Sequence, residues 1–167
     1  SSPPGLGDFP YVVAGVDWSG GGSKGKSRTC CWIFGVDSQS NLHTYWFKIY
    51  PDQNPVDVVE DIASRISRSR VTMVVGDAGE GALANSLLRK KLPPHIPVFQ
   101  AQYGSSSSPL RWNGVDRYMV DKTTLIDNYM MKIKKGGVKF LVRPEMDIAF
   151  KDMLALYEEV TLSGKKI

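Results

Sequence analysis

Apolar and polar positions along this chain follow two periods, and the changes of period mark its elements. Val12, Val13, Ala14, Gly15 and Val16 form an unbroken run of small or β-branched residues that closes on one acid, Asp17, and a glycine-rich turn reaching Gly22. Such a run predicts a buried central strand with a carboxylate at its tip. Thr29 to Val36 and Leu42 to Tyr50 read as two further strands, and the short polar connection between them favours an antiparallel meander. The period then lengthens. Asn54 and Pro55 suit an N-cap and first helical residue, and Val58, Val59, Ile62, Ala63 and Ile66 recur at helical spacing, with Arg65, Arg68 and Arg70 outside the stripe.

Val71 to Gly81, VTMVVGDAGEG, repeats the build of the first strand: an apolar run, an acid (Asp77) and a glycine-rich exit, here into a helix. Leu83, Leu87 and Leu88 mark that helix and the Pro93 and Pro94 pair stops it. Ile96 to Gln102 predicts a fifth strand, and Gly104 to Gly114 a loop in which Arg111 and Trp112 could stack on bases or pack back on the domain. Asp121 caps a helix from Lys122 to Lys135 with Leu125, Ile126, Tyr129, Met130 and Ile133 as its buried stripe, ended by Gly136 and Gly137. Val138 to Val142 is a short strand, and Asp147 to Val160 a last helix with Ile148, Phe150, Leu154 and Tyr157 inward. An antiparallel meander followed by strand, helix, strand crossovers predicts an α/β fold, a mixed sheet with helices on both faces.

Bulk properties narrow the picture little. At 167 residues and 42% hydrophobic content the chain suits one domain with a substantial core. A net charge of +4 and a pI near 9.0 fit either plain solubility or a polyanionic partner. Cys30 and Cys31 are neighbours in a strand, so they point to opposite faces and do not pair readily; a reduced, intracellular protein is the simpler expectation. His43 and His95 lack the spacing of a structural zinc site. No apolar run approaches the roughly 20 residues of a membrane span. The opening SSPPGLGDFP reads as a linker, so residues 1–10 are expected to follow another domain and residues 11–167 to form the domain proper.

The two acids change the picture most. One Asp before glycines can be a turn former. Two such strands side by side, however, bring two carboxylates together; like charges that close repel, and a divalent cation between them is the usual remedy. The pair points to a hard-metal site of oxygen ligands. Lys24, Lys26 and Arg28 follow directly in the loop after Asp17, either as a solvated hairpin tip or as contacts to a phosphate backbone. No GK[ST] loop for a nucleotide-driven motor is present.

The strand and helix order, with an acid on the first strand and another on the fourth, resembles the ribonuclease H-like fold. GVDWSGGG, VVGDAGEGALANSLL and VDKTTLIDNYMMKIKKGGVKFLV resemble, in order and spacing, the nuclease domain of the large terminase subunit of tailed phages. The resemblance implies a two-metal endonuclease with Asp17 and Asp77 as Mg²⁺ or Mn²⁺ ligands, acting on double-stranded DNA during viral genome packaging in the cytoplasm of the infected host. It implies a portal protein and a small terminase subunit as partners, and an ATPase domain before residue 1. The family pattern carries a further acid after its final helix. Here it is expected beyond Ile167, with Asp147 as the alternative. A junction resolvase or transposase-like nuclease would share Asp17 and Asp77, and a non-catalytic nucleic-acid-binding domain could keep the same fold.

Overall fold

The computed structural model describes residues 6–18, 28–51, 54–79 and 81–140. Among them lie β1 (Tyr11–Asp17), β2 (Thr29–Val36), β3 (Leu42–Tyr50), α1 (Pro55–Ser67), β4 (Met73–Asp77), α2 (Ala82–Lys91), β5 (Val98–Gly104), β6 (Leu110–Trp112), β7 (Arg117–Asp121), α3 (Lys122–Lys134) and β8 (Val138–Lys139). The strands form one mixed sheet in the order β6-β7-β5-β4-β1-β2-β3-β8. The expected meander is present: β1 pairs antiparallel with β2, and β2 with β3, while β4 runs parallel to β1 and β5 parallel to β4. β8 closes the far edge, parallel to β3.

One face of the sheet is the core. Even positions of β1 (Val12, Ala14, Val16) and odd positions of β2 (Cys31, Ile33) pack beneath α1 and α2. α1 starts where Asn54 Oδ1 accepts from Val56 N at 3.0 Å with Pro55 behind it, and all five residues of its expected stripe are buried. Arg65 leaves that stripe to lie over the Trp46 ring, 4.9 Å from its centroid. The opposite face carries Val13, Gly15 and Asp17 of β1 and Trp32 of β2, all less deeply buried than the core. Trp32 stacks there on Phe34 and tilts against Phe47.

Three local expectations are corrected. The segment Gly104 to Gly114, expected as a loop, contains β6, which forms an antiparallel edge hairpin with β7. Asn113 Oδ1 makes its turn by accepting from the main-chain N–H groups of Val115, Asp116 and Arg117. In α2, Leu83 is 73% exposed, whereas Asn85 and Leu88 are buried. In α3, capped as expected by Asp121 on Thr124 N, no residue of the expected stripe is fully buried and Leu125 is exposed. The expected last helix, Asp147 to Val160, lies outside the described residues. No helix among the described residues is long and apolar enough to cross a membrane.

Candidate metal centre

Parallel pairing of β1 with β4 places Val13 beside Met73, and so on up to Val16 beside Gly76. Asp17 and Asp77 are the next residues on each strand. Side chains alternate along a strand, so both acids share the open face with Gly15 and Val75, while Val16 points into the core. Adjacent strands run about 4.8 Å apart, and the two acids, one residue beyond the last paired positions, line one cavity. On the outer sides Asp17 faces Cys30 of β2 and Asp77 faces Ala101 of β5.

The acids line a cavity of about 550 Å³ with Gly15, Cys30, Trp32, Val75 and Tyr103. Partial loss of water around the strand ends raises the Asp17 carboxyl above its ordinary 3.8, although its side chain still reaches solvent, and the nearby Asp77 charge adds to the rise. Tyr103 is 46% exposed, and its hydroxyl is also pushed up, first by desolvation and then by the charges of Asp77 and Asp17. It therefore stays protonated.

Below the acids lies a buried polar knot. Trp18, directly after Asp17, turns into the core and donates from Nε1 to Asn85 Oδ1 at 2.7 Å. Asn85 Nδ2 donates to the main-chain oxygen of Asp77 at 2.8 Å and lies 3.4 Å from Gln100 Oε1.

Of the residues singled out in the sequence, Asp17 and Asp77 are brought together. Arg28 is exposed two residues before Cys30, while Lys24 and Lys26 lie outside the described residues. Sequence reasoning missed Trp18, Asn85 and Tyr103. An amide three residues before Leu88 in α2 was the available signal for Asn85, because i and i+3 share a helix face. For Tyr103 it was the alternation from Phe99 through Ala101.

The donor set suits a hard divalent cation. Mg²⁺ is commonly held by one or two carboxylates, with water and substrate phosphate completing its shell. Among the described residues no group of three or more His, Cys, Asp or Glu gathers around a metal position, and Asp147 lies outside them.

No protein-family model and no curated protein sequence matches the chain. Solved structures do. The large terminase nuclease from thermophilic phage G20c superposes with a TM-score of 0.54 at 15% identity, covering 83% of this chain and 64% of that one. The human cytomegalovirus terminase nuclease domain gives a TM-score of 0.54 at 13% identity, covering 78% and 63%. The chain thus spans less than two thirds of the length of either. At such identities the likeness is one of fold, and what it establishes is that this chain has the ribonuclease H-like fold found in terminase nuclease domains.

Proposed function

We propose that the chain is a divalent-metal-dependent nuclease domain that hydrolyses phosphodiester bonds of double-stranded DNA. The observation that carries this is the placement of Asp17 and Asp77 at the ends of neighbouring parallel strands, on the open face, at a cavity. Open α/β sheets place their sites at such carboxyl ends. Asp17 and Asp77 would hold the cations, and each carboxylate is less costly there than alone, because the opposite charge relieves their repulsion. Mg²⁺ or Mn²⁺, when bound, supplies Lewis acidity and lowers the pKa of water. Tyr103 lines the same cavity, and Trp32 and Val75 wall it with apolar surface. A third ligand would come from Asp147 or from an acid past Ile167.

The finer role we propose is cleavage of concatemeric double-stranded viral DNA during genome packaging, with a portal protein and a small terminase subunit as partners, in the infected host's cytoplasm. It is supported by the motif resemblance of GVDWSGGG and VVGDAGEGALANSLL together with the shared fold. The test is plasmid nicking in Mn²⁺ by this chain and by a chain extended past Ile167. Nicking lost in both Asp17→Asn and Asp77→Asn is expected. Nicking that survives either substitution, or silence of both unsubstituted chains, refutes catalysis at this site. DNA binding without cleavage would leave a non-catalytic binding domain, and preference for four-way junctions a resolvase.

A further inference from the structure

We infer that Asn85, acting through Trp18, is the positioning residue that holds the Asp17 and Asp77 carboxylates at metal-binding separation; this rests on the metal-dependent reading above. The β1–β4 register runs only as far as Val16 opposite Gly76. Both acids lie one residue beyond it, each paired to its outer neighbour, Cys30 or Ala101. Two strand ends that carry like charges and have left their shared ladder tend to splay. Asn85 bridges them from the core side. Its Oδ1 takes the Trp18 N–H, one residue from the first acid, and its Nδ2 takes the carbonyl of the second acid. Gln100 Oε1, across β5, stands by as a second acceptor for Nδ2.

The surrounding sequence is fitted to this amide. A Cβ on Gly76 would lie 1.9 Å from Asn85 Oδ1, and one on Gly81 would lie 2.3 Å from Trp18 Cδ1 and 2.4 Å from the Asp77 carbonyl oxygen. Gly76, in β4 just before the acid, and Gly81, at the start of α2, thus both make room for the knot. Asn85 is 0% exposed, where an apolar side chain would fill the space without the desolvation cost of an amide. What Asn adds is direction: one acceptor and one donor group, each facing a complementary partner that sits next to, or belongs to, an acid. Asp could not donate to the Asp77 carbonyl, and Leu could bond to neither.

The experiment is Mn²⁺ binding to the 167-residue chain, read as loss of the free-ion EPR signal, with near-UV circular dichroism and thermal unfolding followed in parallel. Asn85→Leu replaces the amide by a branched side chain with the same heavy-atom count, and Trp18→Phe removes the ring N–H together with the rest of the five-membered ring. At temperatures where both variants are folded, the Mn²⁺ dissociation constant is expected to rise about tenfold or more in Asn85→Leu, the usual scale for groups that orient metal ligands. In Trp18→Phe, with one hydrogen bond lost, a rise of about two- to tenfold is expected. A merely structural role would lower the melting temperature and leave Mn²⁺ affinity of the folded protein unchanged. That result overturns the inference. If Asn85→Leu does not fold, Trp18→Phe decides by the same criterion. Failure of the metal reading is distinct: the unsubstituted chain would then bind Mn²⁺ no better than Asp17→Asn.

Discussion

Replacing Gly76 by Ala adds one methyl group at the tightest of the described glycine positions. Its Cβ would sit 1.9 Å from Asn85 Oδ1, 2.8 Å from Cγ and 3.1 Å from Nδ2, so the whole amide must move by more than 1 Å. Asn85 has nowhere to go, being wholly buried and bonded to Trp18 and to the Asp77 carbonyl. Overpacking of this kind costs about 1–3 kcal/mol. Displacing the amide also leaves the Trp18 N–H and the Asp77 carbonyl without their partner, at about 1–3 kcal/mol for each buried group. The lower conformational entropy of unfolded Ala returns about 0.4–1 kcal/mol. Taking the lower half of each range, the net loss is about 2–6 kcal/mol, which for a chain of this length lowers Tm by about 4–24 °C. Gly15, on the neighbouring strand, is the control. A Cβ there meets nothing within 4 Å, so Gly15→Ala should leave Tm unchanged or raise it by about 1–4 °C. Calorimetric melts of the two variants check the pair. A Gly76→Ala chain melting within about 2 °C of the unsubstituted one, or a Gly15→Ala chain falling as far as Gly76→Ala, would refute the reasoning.

The raised Asp17 carboxyl gives a pH dependence of definite sign. Because desolvation and the Asp77 charge lift it above 3.8, the folded state keeps that proton to higher pH than the unfolded state does. Stability is therefore lost as pH rises from 3.8 through the folded value, and the loss persists above it. Asp17→Asn should accordingly melt higher than the parent at pH 7 without metal, the gap closing in acid below 3.8, and Mn²⁺ should raise Tm of the parent alone; a lower Tm for the variant at pH 7 contradicts this. For the basic loop, changing Lys24, Lys26 and Arg28 together to Ala should flatten the slope of log DNA affinity against log salt by about two to three units, measured by fluorescence anisotropy. An unchanged slope would make the loop a solvated hairpin tip.

Local periodicity carried much of this fold, and its physical basis explains both its reach and its limit. A strand's two-residue alternation and a helix's turn decide which side chains share a face before any tertiary contact forms. That sufficed for the five-residue stripe of α1, for the strand runs ending in Asp17 and Asp77, and for the antiparallel pairing of β2 with β3, whose short connection leaves few partners open. The resemblance of the acid-bearing motifs pointed to the ribonuclease H-like fold that the structure shows. Pattern failed where burial is settled by distant partners. In α2 the three leucines predicted one face, but Asn85 turned inward because Trp18 and the Asp77 carbonyl, 67 and 8 residues away, offered it complementary bonds. β6 is three residues long and exposed, so its Leu-Arg-Trp is too short a run to mark a strand, and only pairing with β7 makes it one. The two acids themselves were legible one at a time. That they stand side by side, with Tyr103 at the same cavity, follows from β4 inserting between β1 and β5, a choice of neighbour made by core packing among residues far apart in the chain.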